Sequence, residues 1–227
     1  MNAPVRLPPT PRHRFTEDAA RILEAAGVLT STDAVRLVDG RLTRSDGQPV
    51  RFTLDDVLQM VELGALDRDQ RVELIDGELL EMSPQNAPHM EAKRFLVTLF
   101  IRRLSDNVAV HVEGTLNLAP GASPSPDIWL HDTATRVDQV RGPDVSLLVE
   151  IADTSLLRDL GLKADLYARH GVADYWVVDA YGRRIFVHRS PSHEGYGQVL
   201  EIGREDAIAP LAFPNLMIRA GDLPIVD

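Results

Sequence analysis

The stretch VSLLVEI, residues 145–151, carries the strongest structural signal in the sequence. It is short and almost entirely apolar, which is typical of a strand buried on both faces of a sheet. A segment with helical spacing follows at residues 156–170, and Gly171 is its predicted end. Strands are then predicted at residues 175–179 and 184–189. This order of elements predicts a central mixed β-sheet flanked by helices, an α/β or α+β layer fold.

Three more elements are predicted upstream of this strand. Residues 90–105 place apolar side chains at helical spacing and predict an amphipathic helix that packs on the core. Residues 108–118 begin with alternating valines, a pattern typical of a strand. A proline-containing loop at residues 120–126 leads into a short apolar strand at residues 127–130. The central sheet therefore draws on both halves of the chain.

The first third of the chain contains an internal repeat. Residues 15–42 align with residues 52–79 without gaps, and ten of the 28 aligned positions are identical. Chance would give about two identities over this length. In each copy a threonine that can cap a helix is followed by a helical segment, a glycine stop and an Asp-Gly hairpin turn. We therefore predict a duplicated helix–hairpin unit.

The two copies differ at two charged positions of the hairpin. Glu73 and Glu78 of the second copy correspond to Arg36 and Arg41 of the first copy. If these glutamates take part in chemistry, the first copy cannot replace them. The alternative is that both pairs are solvent-facing strand residues.

The repeat also suggests a domain organisation. Residues 1–13 contain four prolines and are predicted to be a disordered leader. Residues 14–50 form an N-terminal extension that contains the first, degenerate copy. Residues 51–227 form the main domain. We expect the extension to pack against the second copy or to block a groove of the main domain.

The composition is that of an ordinary globular protein, with 44% apolar and 26% charged residues in a chain of 227. No apolar run is long enough to span a membrane, and the N-terminus lacks the apolar stretch of a secretory signal. Cysteine is absent, which excludes disulfides and thiolate sites and is compatible with a cytoplasmic location. The net charge of −10 excludes a protein that coats DNA through an overall positive field.

The common nucleotide, hydrolase and zinc motifs are absent from the sequence. Two acidic residues are more informative about a site. Asp127 begins a short strand after Pro126, and Glu150 lies near the end of the apolar strand. A carboxylate buried in such a strand needs a partner or a cation. If the two strands are neighbours, both carboxylates offer oxygen ligands to Mg²⁺ or Mn²⁺. Lys163 on the following helix completes a set suited to metal-assisted phosphodiester hydrolysis.

A structural interpretation of the same residues is also open. In that interpretation Glu150 and Lys163 form an ion pair that stabilises the fold, and Asp127 caps a turn. The spacing of the three residues is compatible with both interpretations.

Several segments occur together in a characteristic order: VELIDGELLEMSP (72–84), His89, SPDIWL (125–130), VSLLVEIADTS (145–155) and RDLGLKADLYARHGVADYWVVD (158–179). In these segments, across about residues 52–224, the chain resembles a bacterial family of restriction-endonuclease-like proteins in the PD-(D/E)XK nuclease superfamily. The resemblance implies a restriction-endonuclease-like fold with the site at the split between strands. It also implies a Mg²⁺-dependent (or Mn²⁺-dependent) DNA endonuclease that forms a homodimer.

The resemblance further implies particular site residues. Asp127 matches the aspartate of the PD pair, Glu150 matches the acidic residue of the (D/E)XK element, and the backbone carbonyl of Ile151 matches the usual additional metal ligand. The chain departs from the superfamily at Ala152, where a lysine is usual. The family resembled here places its lysine on the next helix, which is Lys163.

Two further residues match positions of the same family. Glu73 matches an acidic position and His89 matches a histidine position. The resemblance implies that both support or complete the catalytic site.

Two functions from different classes compete. The first is a Mg²⁺-dependent DNA endonuclease that acts through Asp127, Glu150 and Lys163. The second is a catalytically silent protein of the same fold that binds a partner or DNA, and retention of all three residues argues against it. A hydrolase of small phosphorylated substrates lacks a phosphate cradle. An acidic nuclease needs a local basic groove, and its candidate residues are Lys93, Arg94, Arg102, Arg103, Arg158 and Lys163. For most of the first four, a solvated helix face is the better interpretation.

Overall fold

The computed structural model describes residues 11–29 and 34–224. These residues form two compact units. The first unit contains residues 83–118 and 125–224, and the second contains the described residues up to Met82 together with residues 119–124. The predicted sheet lies in the first unit, and both copies of the predicted repeat lie in the second.

The first unit is built on a six-stranded sheet with the order β10-β9-β8-β7-β6-β5. Only β7 and β8 run parallel, and the four other neighbouring pairs are antiparallel. The predicted mixed sheet is therefore confirmed, and the apolar strand lies at its centre as β7. The strands are β5 (Val108–Val112), β6 (Ile128–Asp132), β7 (Val145–Ala152), β8 (Asp174–Asp179), β9 (Arg184–Ser192) and β10 (Gly195–Ile202).

A long helix, α3, covers one face of this sheet. It spans Ala87–Arg103 and begins three residues earlier than the sequence pattern indicates. The cause is Asn86, whose side chain accepts a hydrogen bond from the His89 N–H and caps the helix. Because the cap lies this far upstream, His89 falls in the first turn of α3.

The helix predicted at residues 156–170 is present in three parts. A short α-helix, α4 (Leu156–Arg158), continues into a π-helical segment (Asp159–Lys163) and then into α5 (Ala164–Arg169). Gly171 follows with a φ of 78°, so the predicted glycine stop is confirmed. The π-helical segment ends at Lys163, one of the predicted site residues, and such segments are frequent at functional sites.

The strand predicted at residues 108–118 is shorter than expected. It ends at Val112 because the next residue, Glu113, has a φ of 54° in the left-handed region, which does not continue a strand. Two short strands, β11 (Ala207–Ile208) and β12 (Ile218–Arg219), pair near the C-terminus. No helix of the described residues, 11–29 and 34–224, is long and apolar enough to cross a membrane.

The core of the first unit lies between α3 and one face of the sheet. Leu96 and Phe100 of α3 are fully buried there together with Leu147 and Val149 of β7 and Trp176 of β8. Burial of large apolar side chains is the main stabilising term for such a layer. This packing fixes the position of α3 relative to the strands that carry the two acidic residues.

In the second unit, each copy of the predicted repeat forms a helix followed by a hairpin. The first copy consists of α1 (Glu17–Ala25), β1 (Arg36–Val38) and β2 (Arg41–Thr43), and the second of α2 (Leu54–Glu62), β3 (Val72–Ile75) and β4 (Glu78–Glu81). Each pair of strands is an antiparallel hairpin. The two copies share one apolar core. The extension therefore packs against the second copy, which was one of our two expectations.

Equivalent residues make the same local structures in both copies. Thr16 and Thr53 cap their helices, and Thr53 forms a full capping box with Asp56. The two Asp-Gly turns have matching left-handed conformations, with φ values of 49° and 77° at residues 39 and 40 and of 49° and 76° at residues 76 and 77. Such values are those of the type I′ turn that the Asp-Gly pair predicts.

The predicted leader is only partly within the described residues. Residues 1–10 lie outside them. Arg12 pairs with Leu80, and the His13 N–H donates to the Leu79 carbonyl over 2.9 Å, so residues 12 and 13 extend the second hairpin.

Candidate active site

Of the two predicted carboxylates, Glu150 lies in β7 and Asp127 immediately precedes the neighbouring strand β6. Ile128 of β6 pairs with Val149 of β7, so the next position of this antiparallel register sets Asp127 opposite Glu150. Both residues are buried, with 7% and 4% of their surface exposed. The condition set by the sequence, that the two strands must be neighbours, is met.

Asp127 is held by donors from two elements. The His89 Nε2–H donates to Asp127 Oδ1 over 2.8 Å, and the Ile151 N–H donates to Asp127 Oδ2 over 2.8 Å. The Lys93 ammonium lies 3.6 Å from Oδ1. Burial by itself raises the pKa of the Asp127 carboxyl, but His89, the Ile151 N–H and Lys93 together bring this pKa below its ordinary value. The carboxyl is therefore ionised at neutral pH despite its burial.

Glu150 is held from the segment that follows β7. The Lys163 ammonium donates to Glu150 Oε1 over 2.9 Å, and the Tyr167 hydroxyl donates to the same oxygen over 2.7 Å. Lys163 is 2% exposed and Tyr167 is fully buried. The ion pair of the structural interpretation is thus present, and it lies within the group of residues that the catalytic interpretation names.

The local sequence explains how Lys163 and Tyr167 reach one oxygen. They are four residues apart at the end of the π-helical segment and in α5, so they lie on one face of a continuous helix. Tyr167 packs on Tyr175 of β8 with their ring centroids 4.9 Å apart, and Tyr175 donates its hydroxyl to the Asp159 carbonyl over 2.9 Å. Aromatic packing on β8 therefore fixes the helix that presents the lysine.

The predicted site residues are divided between the two units. His89, Asp127, Glu150, Ile151 and Lys163 all lie in the first unit. Glu73 is buried in β3 of the second unit, so its place in the site stays a prediction.

Lys93 is a residue whose position the sequence interpretation missed. We expected it on a solvated helix face, but its side chain is only 12% exposed. Its ammonium donates to Gln85 Oε1 over 2.8 Å, forms an ion pair with Glu113 and approaches Asp127. The available signal was its spacing from His89, since residues four apart share a helix face.

The other candidate groove residues divide between surface and interior. Arg94 is 66% exposed and pairs with Glu91, as expected of a solvated helix face. Arg102 and Arg103 are exposed in the last turn of α3, where positive side chains favour the helix dipole. Arg158 lies within 3.7 Å of Asp159 and is mostly buried.

The donor chemistry fits a hard divalent cation. Among the described residues there is no group of three or more histidine, cysteine and acidic side chains arranged to hold a metal ion. Two adjacent carboxylates are nevertheless the kind of donor set that Mg²⁺ uses, because this ion keeps several waters and often takes its remaining oxygens from a phosphate substrate. The residues therefore fit a cation that one or two carboxylates hold.

The sequence profile of the family Uma2, described as "Putative restriction endonuclease", matches residues 54–221. The match spans well over half of the chain, so this protein belongs to that family. The resemblance inferred from the sequence motifs is confirmed. The first copy of the repeat lies outside the matched region, whereas Asp127, Glu150 and Lys163 lie inside it.

A solved structure supports the fold. The crystal structure of a putative nuclease belonging to DUF820 from Anabaena variabilis matches with a TM-score of 0.59 and 16% sequence identity, over 76% of this chain and 97% of the other. No curated protein matches the chain. The family and the restriction-endonuclease-like fold together suggest a nuclease.

Proposed function

We propose that this protein is a Mg²⁺-dependent DNA endonuclease that hydrolyses phosphodiester bonds. One observation carries the proposal. The two acidic residues that match the nuclease motif occupy opposite positions, Asp127 just before β6 and Glu150 in β7. Both are buried, and Glu150 is in contact with Lys163. Buried, neighbouring carboxylates are expensive to keep in a fold, and a catalytic role accounts for them.

Asp127 and Glu150 would hold the cation, with the backbone carbonyl of Ile151 as a further oxygen ligand. When bound, a divalent cation polarises the phosphate and lowers the pKa of an attacking water. The low pKa of Asp127 favours this role, because an ionised carboxylate is a ligand at neutral pH without first losing a proton.

Lys163 would act on the reacting water or on the charge that develops on the phosphate. Its ammonium already lies 2.9 Å from Glu150, so it is held beside the group that we assign to the cation. A fixed positive charge at this place stabilises negative charge in the transition state without reorganisation. Tyr167 would keep Glu150 in the same orientation through its hydroxyl.

His89 and Lys93 would position Asp127 from α3. The histidine donates to one oxygen of the carboxylate and the lysine lies close to the same oxygen. Lys93 also adds positive charge near the site, which an acidic chain needs locally to approach a polyanion. Glu73 is kept as a candidate on the family resemblance alone.

Calorimetric titration with Mn²⁺ tests the metal site without any choice of substrate. We expect saturable binding to the wild type, and loss of binding in Asp127→Asn because the neutral amide is a much poorer ligand. Asp106→Asn is the matched control, since Asp106 is an exposed aspartate of the same unit. Unchanged Mn²⁺ stoichiometry in Asp127→Asn would remove Asp127 from the proposed site.

A second candidate function is a nuclease-fold protein without activity that binds DNA or another partner. The observation in its favour is that protein donors already hold both carboxylates. Absence of Mn²⁺ binding to the wild type, with and without DNA, would favour this candidate. A Mn²⁺-dependent cleavage of DNA that is lost in Lys163→Ala would exclude it.

A further inference from the structure

The two copies of the repeat contact each other reciprocally. The His13 N–H, just before the first copy, donates to the Leu79 carbonyl in the hairpin of the second copy over 2.9 Å. Thirty-seven residues further on, the equivalent Val50 N–H donates to the Leu42 carbonyl in the hairpin of the first copy, also over 2.9 Å. Each hairpin thus receives the segment that precedes the other copy.

The neighbouring backbone contacts between the two copies are reciprocal in the same way. In each copy the segment before the helix runs along the hairpin of the other copy and pairs with it through an isolated β-bridge. The further reciprocal pairs are Arg12 with Leu80 and Pro49 with Thr43 as backbone bridges, and Glu81 N–H to Pro11 carbonyl at 2.9 Å and Arg44 N–H to Gln48 carbonyl at 2.8 Å as hydrogen bonds.

Equivalent residues also meet each other directly. Phe15 and Phe52 hold the same position in the two copies, and their ring centroids are 5.7 Å apart. A residue that contacts its own counterpart, flanked by contacts in which the copies exchange roles, is the signature of a twofold relation. Further equivalent pairs are buried in the common core, namely Leu23 with Met60, Leu29 with Leu66 and Leu42 with Leu79.

We propose that the surface through which the two copies meet is a self-pairing surface, one that fits a second copy of the same helix–hairpin unit. A twofold interface is self-complementary, so a unit that presents it can pair with another unit of the same kind. In this chain the first copy is then a built-in partner, which covers a surface that a single unit would offer to another chain.

Charged residues favour the contact between the first and the second copy over a contact between two first copies or between two second copies. Glu78 of the second hairpin forms ion pairs with Arg12 and with Arg51, the latter at 3.1 Å. The position equivalent to Glu78 is Arg41, and the position equivalent to Arg12 is Pro49. Two first copies would bring arginines together, and two second copies would lose one ion pair, so the charges favour the partner within the chain.

A symmetrised full-length chain tests the self-pairing surface. Residues 11–43 are replaced by the sequence of residues 48–80, and a companion chain keeps Arg12 to retain its ion pair. We expect both chains to unfold in a single cooperative transition, with the replaced segment as resistant to protease as in the wild type, because every contact between copies is recreated with its counterpart. Rapid digestion of the replaced segment in both chains, with the first unit still folded, would overturn the proposal.

A second experiment uses a substitution in the full-length chain to expose the self-pairing surface of the second copy. Leu23 is fully buried in the shared core, so Leu23→Asp should release the first copy and leave the second copy free to pair with another chain. We expect light scattering to give twice the mass of the wild type, and Arg21→Asp on the exposed face of α1 to leave the mass unchanged. Adding Phe52→Asp should abolish the doubling, because Phe52 would meet its own counterpart. A released first copy with wild-type mass would contradict the proposal.

Discussion

At the scale of single residues, Glu150 shows why substitutions in the candidate site affect the stability of the fold. It is a carboxylate inside the central strand, and one of its oxygens accepts hydrogen bonds from Lys163 and Tyr167. Removal of one partner from such a pair leaves a charge buried without compensation, which costs more than the pair itself contributes. The stability of the first unit is therefore sensitive to these side chains.

We expect Lys163→Met to lower the free energy of unfolding by about 3 to 5 kcal/mol, because the Glu150 carboxylate then stays buried without its cation. The double variant Glu150→Gln with Lys163→Met should recover much of the loss, since the charge of Glu150 is removed together with the cation that balanced it. Urea denaturation of the wild type and both variants measures this. Equal losses in the single and the double variant would show that the ion pair does not carry the effect.

The hydroxyl of Tyr167 makes a smaller contribution. Tyr167→Phe keeps the ring packed against Tyr175 and removes one hydrogen bond to Glu150, so we expect a loss of about 1 to 2 kcal/mol in unfolding free energy. If the proposed function holds, Mn²⁺ affinity should also fall in this variant. Tyr175→Phe is the matched control, since it removes the hydroxyl that donates to the Asp159 carbonyl. Equal Mn²⁺ affinity in the two variants would show that Tyr167 does not orient the site.

At the scale of secondary-structure elements, the turns and helix ends follow local sequence closely. The capping threonines, the glycines after α1 and α2 and both Asp-Gly turns are where the pattern predicts them. The predicted boundaries are wrong where a single residue outside the periodic pattern sets the end of an element. Asn86 sets the start of α3 in this way, and Glu113 sets the end of β5. A cap or a left-handed residue acts through a single local conformation that periodicity does not register.

An alanine at a left-handed position can destabilise the fold through backbone strain and through a steric clash. Two glycines of the second copy distinguish these two effects. Gly64 and Gly77 have φ values of 72° and 76°, but an added Cβ meets nothing within 4 Å at Gly64 and lies 2.9 Å from the Arg51 Cβ at Gly77. We expect Gly64→Ala to cost about 1 to 2 kcal/mol from backbone strain alone. Gly77→Ala should cost clearly more, because the Phe52 segment must also move. Thermal unfolding of both variants checks the order, and equal losses would contradict it.

At the scale of the whole molecule, buried histidines couple stability to pH in both units. Burial lowers the pKa of His188 in the first unit and of His13 in the second, and burial together with His131 lowers the pKa of His111. A histidine whose pKa is lower in the folded state is neutral in both states at high pH. As pH falls below 6.5 the unfolded chain takes up protons first, so stability is lost.

We therefore expect the urea midpoint to be lower at pH 5.5 than at pH 7.5. His188→Phe should reduce this difference, because it removes one of the three histidines whose pKa is lowered and keeps a ring against Tyr175 and Tyr196. An exposed histidine, His193, provides the control, and His193→Phe should leave the difference unchanged. A midpoint that does not depend on pH between these values would show that the three histidines are protonated equally in the folded and unfolded states.

Several features of this protein were determined by the sequence alone. Apolar runs and their periods predict the central strand, the helices around it and the mixed sheet, and gapless self-alignment predicts the duplicated unit. The family motifs single out Asp127, Glu150 and Lys163. These signals are local, because hydrophobic period, caps and turn residues act over a few neighbouring positions.

Only the tertiary structure decided which residues meet. The contact of His89 with Asp127 spans 38 residues, that of Ile151 with Asp127 spans 24, and that of Lys163 with Glu150 spans 13. The reciprocal contacts of the two repeat copies belong to the same class. Such contacts depend on strand order and on how helices pack against the sheet, and no local pattern encodes either, because many chain paths bring the same elements together.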